Sequence, residues 1–204
     1  MIRDLILYLL AKTMFRFLLL TLASLCLALP SAQAQSQAQQ VKLTTTMGDI
    51  LIEVDAQNAP VSSENFLQYV REGFYTGTIF HRVIGNFMLQ GGGFTESFEK
   101  KITRDAIKNE ATNAVKNLRG TLSMARTGDP HSATSQFFIN VVDNDFLNHT
   151  EPSGRGWGYA VFAKVIDGMD VVDKIRNVPT ATYNRYQNVP TTPVVITSAT
   201  VVGE

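Results

Sequence analysis

The chain has little of the residues that build disulfide and metal sites. Its 204 residues include one cysteine, Cys26, and three histidines. Cys26 lies inside an N-terminal apolar segment, so the remainder of the chain has no thiol that could form a disulfide or bind zinc. The three histidines do not form the His-x-x-x-His pair of a helical zinc site. We therefore expect no metal, and a folded domain that is stabilised by its core alone.

A net charge of either sign is also lacking. The 18 Lys and Arg residues balance 18 Asp and Glu residues, which gives no electrostatic reason to expect nucleic acid or an anionic membrane as a partner. The motifs of covalent and phosphate chemistry are missing as well. No serine has a Gly-x-Ser-x-Gly setting, and the Gly91-Gly92-Gly93 run is not followed by the Lys-Ser/Thr pair of a phosphate-binding loop.

One long apolar run is present, between Phe15 and Leu29. Lys12 precedes it, and a small-x-small sequence ending at Ala34 follows, which is the pattern of a secretory signal peptide. Its apolar centre is shorter than the ~20 residues that a membrane-spanning helix needs. We predict a signal peptide over residues 1–34, of which 1–13 resemble an upstream extension. An uncleaved membrane anchor is the alternative.

Cleavage after Ala34 predicts a mature chain of 170 residues with 15 basic and 17 acidic side chains. Export without cysteine favours a bacterial periplasm, with no stable membrane association after cleavage. Residues 35–40 are polar and predict a short disordered leader. Residues 41–204 predict a single folded domain, and a monomer is the default expectation because no oligomer interface is evident.

Periodicity in this domain indicates many short strands and two helices. Residues 41–44 and 49–54 alternate around a turn at Met47–Asp49, which predicts a hairpin. Proline at position 60 and glycine at position 73 bound one helix, and residues 169–175 form the second. Further strands are predicted over 78–83, 87–90, 120–125, 136–141, 159–166 and 194–202. This composition favours a closed antiparallel barrel or a sandwich, with function on the long loops and one face.

Two segments about thirty residues apart carry the residues with chemical potential. In the first, alternation places Phe80, Arg82 and Ile84 on one face of a strand. A bend at Gly85 would bring Arg82 together with the three side chains Phe87, Met88 and Gln90. In the second segment, Phe138 would line the same pocket while Phe137 enters the core. Alternation alone does not choose between the two faces, and without further signals these aromatic residues are equally compatible with ordinary core packing.

These segments resemble a known family. The residues from Phe80 to Ile84 with Phe87 to Gly92, and Met124 to Arg126 with Ser135 to Asn140, are similar to the two motifs of cyclophilin-type peptidyl-prolyl cis-trans isomerases. Segments at 65–67, 146–147 and 158–165 are similar as well, in the right order. The resemblance implies a mainly β fold, a closed eight-stranded antiparallel β-barrel capped by two α-helices, with no metal or organic cofactor and with proline-containing polypeptides as substrates.

The resemblance also implies residue roles. Arg82 is the implied catalytic residue. The implied substrate-binding residues are Phe87, Met88, Gln90, Ala125, Arg126, Gln136, Phe138, Phe146, Leu147 and Tyr159. Phe146 stands where many eukaryotic members carry tryptophan, and Arg126 where they carry asparagine.

An arginine suits this reaction because its guanidinium stays protonated and can donate a hydrogen bond to the prolyl nitrogen during bond rotation. The sequence therefore predicts an isomerase that acts on exported proteins. The alternative is a module or holdase chaperone that binds proline peptides without turnover. A weaker alternative is a structural domain that uses the barrel only as a scaffold.

Overall fold

The computed structural model describes residues 38–204. The predicted signal peptide and the first residues of the predicted leader lie outside the described residues. The elements are β1 (Gln40–Thr45), β2 (Gly48–Val54), α1 (Pro60–Arg71), β3 (Thr78–Ile79), β4 (Arg82–Ile84), β5 (Met88–Gly91), β6 (Thr121–Met124), β7 (Phe137–Asn140), β8 (Val161–Asp167), α2 (Met169–Arg176), β9 (Thr180–Tyr183), β10 (Tyr186–Pro190) and β11 (Val195–Val201).

Nine of these strands form one antiparallel sheet in the order β3-β11-β1-β2-β8-β6-β7-β5-β4. The sheet curls strongly into a half-barrel, and α1 and α2 pack against it. The mainly β fold with two helices is thus as predicted. The strand count differs, because the described residues form nine strands in this sheet. In addition, β9 and β10 pair separately as a hairpin that the periodicity did not predict, with β9 exposed and β10 partly buried.

The extra strand arises where one predicted strand, residues 78–83, divides into two. β3 pairs with β11, whereas β4 pairs with β5, so the two halves belong to opposite edges of the sheet. Between them, Phe80 donates its N–H to the Val194 carbonyl at 3.0 Å. Phe80 was predicted to share a face with Arg82. It packs instead in the main core with Val83, because the alternation is interrupted where the chain passes from one edge to the other.

The predicted hairpin and both helices are present. β1 and β2 pair in register around the turn at Met47, and Gly48 adopts a positive φ of 129° there. Helix α1 begins at Pro60 as predicted, but its own sequence supplies no side-chain cap. Instead, Glu110 accepts hydrogen bonds from the N–H groups of Val61 and Ser62 at 3.0 and 2.8 Å. A carboxylate at a helix N-terminus stabilises the helix through these bonds and through the helix dipole.

The main core lies between the concave face of the sheet and the two helices. Aromatic rings at its centre contact one another: Phe66 lies 5.3 Å from Tyr75, 5.6 Å from Phe137 and 5.2 Å from Phe162, measured between ring centroids. Burying large rings dominates the energetics of such a core. Phe137 anchors the inner face of β7 in this core, and the outer face of β4, β5 and β7 remains available to form a site. Across residues 38–204, helices long and apolar enough to cross a membrane are absent.

Candidate active site

The register of three neighbouring strands creates a row of side chains on the outer face of the sheet. Arg82 on β4 lies directly opposite Gln90 on β5, and Gln90 lies directly opposite Phe138 on β7. Residues directly opposite in an antiparallel sheet project to the same face. The row therefore brings a cation, an amide and an aromatic ring together, although 56 positions of sequence separate the first from the last.

A cavity of about 670 Å³ lies over this row. Ten of the eleven residues predicted from the sequence line it, namely Arg82, Phe87, Met88, Gln90, Ala125, Arg126, Phe138, Phe146, Leu147 and Tyr159. The eleventh, Gln136, lies beside it. The floor is an apolar cluster separate from the main core, formed by the buried residues Met88, Phe138 and Leu147. Phe137, as predicted, faces the main core instead.

Aromatic side chains form the walls of the cavity. Phe138 and Tyr159 meet edge to face with their centroids 5.6 Å apart, and Phe87 lies 5.5 Å from Phe146. Phe146 is 73% exposed, so it stands at the rim and leaves the cavity open to solvent on that side. An apolar pocket with aromatic walls and a few polar groups is the usual form of a site that holds a small ring.

Arg82 is half-buried and lines the cavity. Its Nη1 makes only a long contact of 3.4 Å with Gln90 Oε1, and its Cζ lies 5.9 Å from the centroid of the Phe87 ring. Burial lowers the pKa of Arg82, an effect that Tyr159 partly opposes. An arginine with a lowered pKa is still protonated at neutral pH, and its donors are poorly satisfied. The guanidinium is therefore free to donate to a bound ligand.

A pair of glutamines holds the polar side of the row. Gln90 Nε2 donates to Gln136 Oε1 at 3.0 Å, while Gln90 Oε1 faces Arg82. Gln136 itself packs against Gly93, where an added Cβ would lie 2.5 Å from its side chain. The close approach of the backbone at Gly93 is what lets Gln136 reach Gln90. Gln136 thus orients Gln90 from outside the cavity.

Part of the cavity lining comes from two segments that the sequence did not assign to the site. The additional lining residues are Thr127, Gly128, Gly154 and Arg155. Arg126 fastens this part of the lining, because its guanidinium donates to the carbonyls of Gly158 at 2.9 Å and Thr127 at 2.9 Å and stacks 4.6 Å from the Tyr159 ring. The signal that could have indicated Arg155 is its position in a glycine-rich turn directly before Tyr159.

A network of buried amides supports the cavity from below. Asn117 is fully buried, its Nδ2 donates to the Tyr159 carbonyl at 3.3 Å, and its N–H donates to Asn148 Oδ1 at 2.8 Å. Asn144 Nδ2 donates to the Phe87 carbonyl at 3.0 Å. Three parts of the cavity wall are therefore tied to one polar network. Buried polar networks of this kind specify a single arrangement when every member is satisfied.

His81 lies next to Arg82 in sequence, but it is buried and does not line the cavity. Its ring packs edge to face on Phe94 at 4.8 Å, and its Nδ1 has no hydrogen-bond partner among the described residues. Burial, and then the charge of Arg82, lower the pKa of His81 from 6.5 to about 4. His81 is therefore uncharged in the folded protein at neutral pH.

This environment predicts a pH-dependent loss of stability. Because the pKa of His81 is lower in the folded chain than in the unfolded chain, the unfolded chain binds the extra proton between pH 6.5 and 4. The stability is complete above pH 6.5 and falls as the pH drops toward 4, by about 3 kcal/mol in the free energy of unfolding.

Urea unfolding of wild type and His81→Phe at several pH values between 4 and 7 measures this loss. The phenylalanine variant retains a ring against Phe94, so it should lack the part of the acid loss that His81 contributes. Equal pH slopes for the two proteins would contradict the assignment.

The arrangement of these residues can be compared with known proteins. A family model described as "Cyclophilin type peptidyl-prolyl cis-trans isomerase/CLD" matches residues 40–201. The chain belongs to this family. It is a cyclophilin-type peptidyl-prolyl cis-trans isomerase, as the motifs around Arg82 and Phe138 predicted.

Two bacterial relatives are similar to this cyclophilin over most of its chain. Peptidyl-prolyl cis-trans isomerase B of Escherichia coli (strain K12) is 59% identical over 161 residues, which is 79% of this chain and 98% of the relative. The peptidyl-prolyl cis-trans isomerase of Acinetobacter baylyi is 60% identical over 158 residues, which is 78% of this chain and 82% of the relative.

Solved structures agree with the fold. A cyclophilin-type isomerase of Cryptosporidium parvum superposes with a TM-score of 0.67 at 27% identity, and the match covers 82% of this cyclophilin and 99% of that chain. A second structure of the same protein, determined in the presence of the dipeptide Ala-Pro, gives a TM-score of 0.66 at 27% identity, covering 81% and 100%.

Proposed function

We propose that Arg82 carries the isomerase reaction by stabilising the prolyl nitrogen while the X–Pro bond rotates. The observation that supports this role is the guanidinium of Arg82 in the lining of the cavity, where Gln90, at 3.4 Å, is its one hydrogen-bond partner within residues 38–204. A proline ring held against Phe138 and Met88 would place the nitrogen of the X–Pro bond near the guanidinium of Arg82. In this proposal, Gln90 holds a substrate carbonyl and fixes the orientation of the chain.

The energetics of the X–Pro bond explain why one donor is enough. Rotation has a barrier of ~18–20 kcal/mol because amide resonance is lost, whereas the cis and trans forms differ by only ~0.5–1 kcal/mol. When the bond is perpendicular, the nitrogen becomes pyramidal and its lone pair can accept a hydrogen bond. A donor that bonds this lone pair stabilises the transition state and not the planar substrate. Each ~1.4 kcal/mol of such preference raises the rate about tenfold.

The apolar cavity contributes in two further ways. Its aromatic walls hold the proline ring while the preceding residue turns, and this positioning of the substrate lowers the barrier to rotation. Its low polarity also strengthens the hydrogen bond from Arg82, because electrostatic interactions are larger where water is excluded. A cationic donor in a pocket of this kind can catalyse rotation without a nucleophile, and we propose that the reaction needs no metal or organic cofactor.

Proline-containing polypeptides are the proposed substrates, and the relative crystallised in the presence of Ala-Pro supports this assignment. The alternative is a proline-binding module or holdase that does not accelerate rotation. Measuring cis–trans relaxation and affinity on one proline tetrapeptide separates the two. We expect faster relaxation at catalytic protein concentrations. Tight binding without acceleration would favour the alternative.

We further propose that the protein acts as a monomer, without nucleic acid, and that the curled sheet closes into a barrel between β3 and β4. Two observations support closure. These strands are the edges of the sheet, and only Phe80 and His81 separate them along the chain. Counted as one broken strand, residues 78–84 would give the eight strands of the predicted barrel.

Export to a bacterial periplasm is the proposed location, where the enzyme would accelerate folding of exported proteins. The pattern of Lys12, an apolar run and Ala32-x-Ala34 supports it. We predict that the mature chain, expressed with its full N-terminus in a bacterium, begins at Gln35. Mass spectrometry of the intact protein from the periplasmic fraction measures this.

A variant of the cleavage position provides the control. Ala34→Arg places a large cation where a small residue is needed, so processing should fail and the full-length mass should remain. A wild-type chain that keeps residues 1–34 and stays with the membrane would instead support the uncleaved anchor.

A further inference from the structure

We propose that this isomerase prefers substrates with an acidic residue next to the proline and disfavours those with a basic residue there. The inference rests on the proposed function of the cavity and adds a substrate class to it. The observation that supports it is the positive charge of the residues that line the cavity. Among residues 38–204, three arginines, Arg82, Arg126 and Arg155, line the cavity, and no aspartate or glutamate does.

None of the three cations is neutralised by a carboxylate. Within residues 38–204, the ion pairs closer than 4 Å involve other side chains. Within the same residues, Arg82 has only the neutral Gln90 as a hydrogen-bond partner, and Arg126 donates to backbone carbonyls. Arg155 is exposed, and its side chain makes no hydrogen bond within residues 38–204. The cavity therefore keeps its positive charge.

Carboxylates do occur in the turns that surround the cavity, but they face other groups. Asp129 accepts a hydrogen bond from the His131 N–H at 2.9 Å, and Asp145 accepts one from Asn148 Nδ2 at 3.2 Å. Glu151 is exposed in the rim segment and does not line the cavity. These groups reduce the field at the rim without pairing with any of the three arginines.

The arrangement of the cations favours an effect on specificity. Arg82, Arg126 and Arg155 all line the cavity, so a peptide bound in the cavity lies beside all three cations. A cleft lined by charge of one sign concentrates ligands of the opposite sign. A charged residue beside the proline would lie within about one Debye length of these cations at 0.1 M salt, where the interaction is only partly screened.

The expected size of the preference for acidic over basic substrates depends on how exposed the three arginines are. Arg155 is solvent-exposed, and exposed charges interact weakly, so its share is expected to be about twofold to threefold. Together with Arg126 and the half-buried Arg82, the expected ratio between acidic and basic substrates is about tenfold at low salt. At 1 M salt the Debye length shortens to ~3 Å, and most of this ratio should disappear.

The test uses tetrapeptides that differ in one residue next to proline. Glutamate, glutamine and lysine are placed before the proline in one series and after it in a second series. We expect kcat/KM for glutamate to exceed that for lysine by about tenfold at low salt in at least one series, with glutamine between them. A ratio near one in both series, or a ratio that 1 M salt leaves unchanged, would overturn the proposal.

Reversing the charge of Arg155 tests whether the arginines of the cavity cause the substrate preference. Arg155→Glu should reduce the glutamate-to-lysine ratio about fivefold, and Arg155→Gln by a smaller factor. Arg185→Glu is the matched control, because Arg185 is an exposed cation on the β9–β10 turn and does not line the cavity. An equal change in the ratio for Arg155→Glu and Arg185→Glu would mean that net charge and not the rim sets the preference.

The two proposals fail in different ways. Acceleration of the glutamine peptides tests the isomerase function and is independent of charge preference. Affinities for the same peptides, measured by NMR titration, test the charge preference even if turnover is absent. Equal affinities for the glutamate and lysine peptides at low salt, together with an equal rate, would contradict the acidic preference while leaving the isomerase function intact.

Discussion

Replacing Arg82 with alanine is expected to lower kcat/KM for a proline tetrapeptide by about 100-fold to 1000-fold. The estimate comes from sites where one preorganised donor to a developing charge or lone pair is removed. The fold should survive the change, because Arg82 is half-buried on the outer face of the sheet and forms no ion pair there within residues 38–204. Protease-coupled or NMR exchange kinetics of wild type and variant measure the loss.

A lysine at the same position provides a graded control. Arg82→Lys keeps the positive charge but replaces a planar, multi-donor group with a compact ammonium that is more strongly hydrated. We expect an intermediate activity, about tenfold or more below wild type. Wild-type activity in the alanine variant would show that Arg82 is not the donor, provided that circular dichroism and thermal unfolding are unchanged in both variants.

The second large effect is expected at Asn117, beneath the cavity. Its side chain donates to the Tyr159 carbonyl and accepts from Ser123 Oγ at 2.7 Å, and the group is completely buried. Asn117→Ala leaves several of these partners unsatisfied, and each such group costs about 1–3 kcal/mol. The free energy of unfolding should fall by about 3 kcal/mol.

The same substitution should act on substrate binding through the cavity walls. Asn117 Nδ2 donates to the Tyr159 carbonyl and also, at 3.2 Å, to Oδ1 of Asn148, which ends the turn that carries Phe146 and Leu147. Loosening these walls should raise KM about tenfold while kcat changes less. A displaced wall holds the proline ring less well, but it leaves the hydrogen-bond donor Arg82 in place. Steady-state kinetics below the unfolding transition separate the two constants.

A buried asparagine away from the cavity provides the control for Asn117. Asn65 is 7% exposed, and its Nδ2 donates to the Thr134 carbonyl at 2.7 Å. Asn65→Ala should lower stability without raising KM. A similar rise of KM in both variants would attribute the effect to general loosening of the fold.

Sequence patterns predicted those parts of the fold whose signals are local. The β1–β2 hairpin follows from the alternation of apolar and polar residues. Helices α1 and α2 follow from the proline and glycine residues at their ends. The division of residues 78–84 into β3 and β4 was not predictable in this way, because it depends on pairing with strands at opposite edges of the sheet. The Glu110 cap of α1 is also non-local, since the carboxylate lies 49 positions from Val61.

The site shows the same distinction. The row of Arg82, Gln90 and Phe138 could be anticipated because its residues stand in two distinctive motifs, and strand register then places them side by side. Arg155 was missed because its turn has no periodicity. The asparagine network was missed because an asparagine in a loop carries no sign of burial until the tertiary structure is known.

The central claim is that Arg82 acts on the transition state of rotation and contributes little to binding the planar substrate. Measuring affinity and exchange rate on one peptide by NMR, for wild type and Arg82→Ala, tests it most directly. We predict that the rate of cis–trans exchange on the protein falls at least about 100-fold while Kd changes less than about threefold. A variant whose affinity falls in proportion to its rate would contradict the claim and make Arg82 a binding residue.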